Sequence, residues 1–225
     1  MYAKYVKRPM DFTLSLLAII VLSPVMLITA LLVKIKLGSP VLFKQPRPGK
    51  DEKIFNMYKF RSMTDERDEN GNLLPDDVRL TKFGRLLRKT SLDELPELFN
   101  ILKGDMSIIG PRPQLVRDMV FMSDTQRQRH SVRPGLSGLA QISGRNQITW
   151  EEKLGYDLEY IKRITFLEDV KIIFKTVIKA FVKQEGISQE GMDTAEDFGD
   201  YLLKSEKIDT DYYERKQAEA QLLLK

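Results

Sequence analysis

Residues 12–33 read FTLSLLAIIVLSPVMLITALLV, a run with no charged position. As a helix this run is about 33 Å long, enough to cross the hydrocarbon of a bilayer. Lys4, Lys7 and Arg8 precede it, and Lys34, Lys36 and Lys44 follow. A basic start also suits a signal peptide, but the run outlasts a usual apolar region and no small-x-small cleavage site follows, so the segment is expected to be retained. Pro24 interrupts its middle and removes a hydrogen bond, at a typical cost of ~3 kcal/mol in a helix interior. Ser23, just before it, can bond a carbonyl one turn back and support a bend. A kinked single span, a buried core helix and a helix that enters and leaves by one face all fit this pattern. Basic flanks on both sides give no orientation by the positive-inside bias, which favours the last: a re-entrant helix broken at Ser23-Pro24, within a segment 1–38.

Beyond it, residues 41–45 and 54–60 have strand character and are separated by the turn-rich PRPGKDEK, which predicts a small β-hairpin. Residues 65–79 are polar, carry Asn70-Gly71 and Pro75, and read as an exposed loop. Helical spacing appears at 80–89, 94–103, 114–131 and 150–163. Residues 104–113 and 133–146 are rich in glycine and proline and read as loops. In 164–183, Lys171, Lys175, Lys179 and Lys183 recur every fourth position opposite an Ile/Phe/Val face, the pattern of an amphipathic helix on either a domain core or a membrane surface. The apolar N-terminal run tilts this towards the membrane. The fold class is therefore mostly α with a small β-hairpin (α+β), with a catalytic body over 39–183 and a peripheral extension over 184–225 that ends in a short helix at 218–224.

Composition narrows the chemistry. The 225 residues contain no cysteine and a single histidine, His130. Thiolate nucleophiles, disulfides, cysteine metal centres and multi-histidine metal sites are thereby excluded. The net charge of +4 hides an asymmetry: eleven acidic and four basic residues lie between Gln184 and Glu219, so the rest of the chain carries +11. A basic body points to anionic partners such as nucleic acid, phosphorylated metabolites or acidic headgroups.

Asp93-Glu94 opens a helical pattern. Ser91-x-x-Glu94 has the spacing of a capping box, and acidic residues suit a first turn, so such a pair is ordinarily structural. Pro96 strains that reading: with Ser91 as cap it falls inside the helix, whereas with Asp93 as cap it lies in the first turn but Glu94 no longer closes the box. Both registers stay open. Around the pair stand Lys59-Phe60-Arg61-Ser62-Met63, Arg85, Arg88, Lys89, Gly110-Pro111-Arg112-Pro113 and Arg133-Pro134-Gly135. Each alone is a solvated charge; together, with two carboxylates and rigid loops, they suit phosphoryl transfer. No Walker A string occurs.

In order along the chain, these strings, with Ser23-Pro24, Arg88-Lys89-Thr90-Ser91-Leu92-Asp93-Glu94-Leu95-Pro96, Asn100, Gly104-Asp105-Met106-Ser107, Gly138, Gly144-Arg145-Asn146 and Tyr156-Asp157, resemble the small monotopic phosphoglycosyl transferases of the bacterial sugar transferase family over about residues 7–183. The resemblance implies transfer of a phosphosugar from a UDP-sugar to undecaprenyl phosphate, with release of UMP, at the cytoplasmic face of the bacterial inner membrane. It also implies that Asp93 is the nucleophile and a ligand of Mg²⁺, with Glu94 beside it as base. Lys59, Arg88 and Arg112 match positions near the phosphates, and Asp157 a polar site position. The implied partners are the UDP-sugar, undecaprenyl phosphate and the phospholipid bilayer, with no nucleic acid; monomer and homodimer both stay open. A membrane-associated nucleic-acid binder is the alternative from another class, weakened by the absence of clustered aromatics among the basic strings and by the acidic extension.

Overall fold

In the computed structural model, which describes residues 1–144, 148–179 and 196–224, a π-helical turn at Tyr2–Val6 leads directly into helix α1, Lys7–Leu37. The break expected at Ser23-Pro24 is not a break in the hydrogen-bonded helix: α1 runs unbroken with Pro24 inside it. The physical reason lies next door. Pro24 has no N–H for the carbonyl of Ile20, and the Ser23 hydroxyl donates to that same carbonyl at 2.8 Å. The ladder's missing bond is replaced by a side chain, so the helix need not open.

α1 buries one stripe and exposes the other. Asp11, Ser15, Met26, Thr29, Val33 and Leu37 are buried, and Ala18, Ile19 and Leu22 pack between them on Met57, Leu98, Ile101 and Met106. These positions recur at the helical period, so the whole length lies along the body. The opposite stripe, including Ile20, Val21, Leu27, Leu31 and Ile35, is exposed, Val21 to 73%. Polar anchors fix the N-terminal end. Arg8 donates to the Ile101 and Leu102 carbonyls at 2.6 and 2.9 Å. Asp11 accepts from Ser107 Oγ at 2.7 Å and the Ile108 amide at 3.1 Å. Lys7 pairs with buried Asp169, which also accepts from Tyr2 and Tyr160 hydroxyls at 2.6 Å each.

The hairpin forms as predicted: β1 (Leu42–Pro48) and β2 (Ile54–Phe60) pair antiparallel with Leu42 opposite Phe60. Short helices α2 (Asp76–Arg79) and α3 (Lys82–Lys89) follow the polar loop, then α4 (Glu97–Lys103). The two segments read as loops each contain a strand: β3 (Ser107–Ile109) and β4 (Gly135–Ser137) pair in parallel. A Cβ on Gly135 would come within 2.1 Å of the Gly110 amide nitrogen, so this contact requires glycine. The predicted helix at 114–131 divides into α5 (Val116–Met119), α6 (Asp124–Arg127) and a 3₁₀ turn at Gln128–Ser131. Ser123 explains the restart: with Gln126 it forms a reciprocal capping box.

Helices α7 (Leu139–Ser143) and α8 (Trp150–Lys162) pack together, and α9 (Phe166–Ile178) covers the β3–β4 pair. On α9, Ile172 and Asp169 are buried, while Phe166, Leu167, Val170, Phe174 and Val177 remain exposed. Residues 180–183 of the expected amphipathic helix, and Arg145-Asn146, lie outside the described residues.

Within the acidic extension, α10 (Phe198–Lys204) and α11 (Thr210–Leu223) lie against the body, and the terminal helix is longer than the expected 218–224. Phe198 and Ala220 join a buried cluster with Met119, Phe121, Trp150 and Leu154. The Trp150 and Phe198 rings lie 5.0 Å apart, and the indole N–H donates to the Glu196 carbonyl at 3.2 Å. Replacing Phe198 with Leu is expected to cost about 1–2 kcal/mol through lost contact and cavity formation. Chemical denaturation in detergent should show the lower midpoint, with turnover retained in the folded fraction.

Candidate active site

Three elements converge on a small set of charges. β2 carries Lys59, α3 carries Arg88, and the chain between α3 and α4 makes a tight 3₁₀ turn at Leu92–Glu94 that holds both acidic residues. Neither predicted capping register is adopted. Ser91 sits in the left-handed region (φ 55°) and makes no side-chain cap bond, and α4 starts at Glu97, after Pro96. There the proline's missing N–H costs nothing. Asp93 and Glu94 are thus not helix caps, and their carboxylates turn inward.

Lys59 Nζ donates to Glu94 Oε1 at 2.9 Å and lies 3.2 Å from Glu97 Oε1. Arg112 Nη2 meets the same Glu94 oxygen at 2.5 Å. Arg88 Nε donates to Ser62 Oγ at 3.0 Å. Asp93 is 7% exposed, and its Oδ1 has no hydrogen-bond donor among the described residues. Burial and the neighbouring Glu94 charge push the Asp93 carboxyl up to about 6, against the pull of Lys59, Arg88 and Arg112. For Glu94 burial acts in the same direction, but Arg112 and Lys59 outweigh it and hold the carboxyl well below the usual carboxylate range. Glu97, almost fully buried, is raised to about 7 by burial despite Lys59, with Glu94 adding to the rise.

Two residues that sequence reasoning did not single out for a role build this geometry. Asn100 is fully buried: its Oδ1 accepts from the Tyr58 amide at 3.0 Å and its Nδ2 donates to the Asn56 carbonyl at 2.8 Å. This clamps β2, and with it Lys59, to α4. Arg129 is 1% exposed and donates to Asp157 Oδ2 at 2.9 and 2.6 Å, and to the Arg112 carbonyl at 2.5 Å. A buried ion pair therefore holds the backbone of the loop that presents Arg112. For Asn100 the available signal was a polar residue inside an otherwise apolar helical pattern; Arg129 stands in a polar stretch and gave none.

Beside these charges opens a cavity of about 530 Å³, a size ordinary for small-ligand sites. Glu94, Arg112 and Asp157 contribute polar groups to its wall, while Ala18 and Leu22 of α1 and Val177 of α9 contribute apolar ones. Lys59, Arg88 and Asp93 lie outside the wall; Ser23 and Pro24 are not part of the site. The structure thus gathers Lys59, Asp93, Glu94 and Arg112 into one cluster, with the Arg88 charge acting on Asp93. Asp157 joins them at a distance, through Arg129. Among the described residues no group of three His, Cys, Asp or Glu side chains is arranged to hold a metal.

The family described as bacterial sugar transferase matches residues 2–183. The chain is 52% identical over 192 residues to an uncharacterized sugar transferase, EpsL, of Bacillus subtilis, covering 85% of this chain and 95% of that one. It is 43% identical over 188 residues to a UDP-glucose:undecaprenyl-phosphate glucose-1-phosphate transferase of Klebsiella pneumoniae, covering 79% of this chain and 40% of the relative. To a UDP-N-acetylgalactosamine-undecaprenyl-phosphate N-acetylgalactosaminephosphotransferase of Aeromonas hydrophila it is 41% identical over 184 residues, covering 77% and 43%. The chain spans about two fifths of the length of the last two.

Proposed function

Since this chain belongs to the bacterial sugar transferase family, we propose that it transfers a sugar 1-phosphate from a UDP-sugar to undecaprenyl phosphate and releases UMP. One observation carries the reading: a single cavity is lined both by charged groups, Glu94 and Arg112 among them, and by apolar side chains of α1 and α9. Such a cavity suits a reaction between a charged nucleotide donor and a lipid acceptor.

In the proposed mechanism a carboxylate oxygen of Asp93 attacks the sugar-linked phosphorus of the donor. The bond from that phosphorus to the bridging oxygen breaks, and UMP leaves with the electron pair. The phosphosugar stays on Asp93 as an acyl phosphate, until a phosphate oxygen of undecaprenyl phosphate attacks the same phosphorus and frees the carboxylate. Dividing one transfer into two is the general advantage of covalent catalysis. Arg112 and Lys59 supply positive charge where phosphoryl oxygens gather. Glu94, held ionised by both, is a weak base, and its pairing supports a role in fixing the two cations. Glu97, raised to about 7, is the carboxyl nearer the basicity that proton transfer needs.

Mg²⁺ fits this site as a shared ion. Asp93 Oδ1 lacks a donor among the described residues, and Mg²⁺ is commonly bound by one or two carboxylates plus substrate phosphates. When bound, it would offset the charge of the diphosphate. UMP release measured against a panel of UDP-sugars, with and without undecaprenyl phosphate, tests the reading. At least one donor should give turnover that is lost on chelation and restored by added Mg²⁺; no turnover with any donor would sink it.

We further place the chain at the bacterial cytoplasmic membrane with its body on the cytoplasmic face. α1 is long and apolar enough to cross a bilayer, yet both ends rest on the same body: Arg8 and Asp11 at one, Val33 and Leu37 on Phe60 and Leu87 at the other. The exposed apolar stripes of α1 and α9 supply the lipid-facing surface. Single cysteines at Ala3 and Ser39 should both resist an impermeant thiol reagent in intact cells and react after lysis. Labelling of Ala3→Cys alone from outside would show a span instead.

A further inference from the structure

The cavity wall holds two acceptors whose hydrogen bonds are missing. Asp157, on α8, is 2% exposed. Its Oδ2 takes both Arg129 bonds, whereas its buried Oδ1 has no donor among the described residues. Gln141, on the adjoining α7, is fixed by its amide N–H to the Leu136 carbonyl at 3.3 Å. That bond leaves Oε1, also buried, without a donor among the described residues. Both side chains line the same cavity as Glu94 and Arg112. A buried acceptor without a donor is costly, and two of them on residues that line one cavity call for a common explanation.

The missing chemistry is specific. Two acceptors call for a ligand that brings donors, and Arg129 already compensates the Asp157 charge, so a cation is not what is lacking. Neutral hydroxyls fit both positions. We infer that Asp157 Oδ1 and Gln141 Oε1 form a hydroxyl-recognising subsite that accepts hydrogen bonds from the donor substrate. This inference rests on reading the cavity as the UDP-sugar site. A UDP-sugar brings hydroxyls on two rings, its ribose and its sugar, and both present the same chemistry. Trp150 lines the same cavity, with the Phe198 ring at 5.0 Å and Lys153 Nζ 4.9 Å over its ring.

Substrate analogues test this without disturbing the fold. With the best donor of the panel, single hydroxyls are replaced by hydrogen, one series on the sugar and one on the ribose, and kcat/KM for UMP release is measured. Sites built to bond a hydroxyl reject the analogue that lacks it strongly, because their own groups are left unpaired. One or two deletions should lower kcat/KM by about 100-fold, with the remainder within about threefold. In Gln141→Leu, which leaves the Arg129–Asp157 pair intact, the penalty for the hydroxyl facing Gln141 should shrink to under about threefold. A deletion on the sugar assigns the subsite to the sugar, one on the ribose to the nucleotide. If wild type turns over and every analogue is used equally well, or the penalty is unchanged in Gln141→Leu, the subsite is wrong while the transferase reading stands. If no UDP-sugar turns over at all, the reading beneath it fails first.

Discussion

Asp93→Asn should abolish UMP release, by at least about 10³-fold, while the protein remains folded and membrane-bound. On the proposed mechanism this substitution removes the nucleophile and with it the covalent route, so the loss should appear in kcat and kcat/KM alike. Two further readouts separate this from the loss of a mere charge. Wild type mixed with donor alone should release a burst of UMP equal to the enzyme present, and the Asp93 peptide should carry the added phosphosugar in mass spectrometry. Asp93→Asn should show neither, whereas Glu94→Gln should slow turnover and still form the adduct. Wild type that gives no burst and no adduct, yet turns over once lipid is added, would establish direct transfer. The test matters because Asp93 lies outside the wall of the large cavity, next to Glu94 within it.

The second large effect is on stability. Arg129→Met leaves the Asp157 carboxylate buried without its counter-ion, and breaking a buried pair from one side costs about 3–5 kcal/mol. In a chain of this length that corresponds to a fall in Tm of roughly 10 °C. Replacing both partners, Arg129→Met with Asp157→Leu, removes the orphaned charge and should recover most of the stability. The double variant should nevertheless remain poorly active, because the cavity loses Asp157 and the Arg112 carbonyl loses its donor. A single variant within 1 kcal/mol of wild type would show that the pair is not a structural anchor.

The hairpin was legible because its signals are local: two apolar runs and a Pro-Gly turn between them decide it. The parallel β3–β4 pair was not. Each strand has three residues, both lie among glycines and prolines, and their pairing depends on Gly110 meeting Gly135, a contact between chain segments about 25 positions apart. The turn around Asp93 illustrates the same limit. Local capping rules offered two registers for Ser91 and Asp93, and the fold took neither, because burying the carboxylates against Lys59 and Arg112 is a tertiary gain that capping rules do not contain. The charged residues of the site were nonetheless readable by type and by resemblance. Arg129 was not, since nothing near it in sequence reveals that Asp157, on another helix, makes its burial tolerable. Ser23-Pro24 was read for the right chemistry and the wrong outcome: the hydroxyl does replace the lost bond, and by doing so it keeps the helix whole.

The inward stripe of α1 bears on how a water-soluble version of this enzyme could be made. Cutting the chain at residue 38 is the obvious way to shed the greasy segment. The cut would strip Met57, Leu98, Ile101 and Met106 of their cover and remove the Asp11 bonds to Ser107 and the Ile108 amide and the Arg8 bonds to the Ile101 and Leu102 carbonyls. Ala18 and Leu22 would go with it, so the cavity would lose part of its wall. A better design keeps α1 and recolours only its outward positions, such as Val21, Leu27, Leu31 and Ile35, with polar side chains. In this molecule the long apolar helix is also masonry, and solubility has to be engineered on its far side.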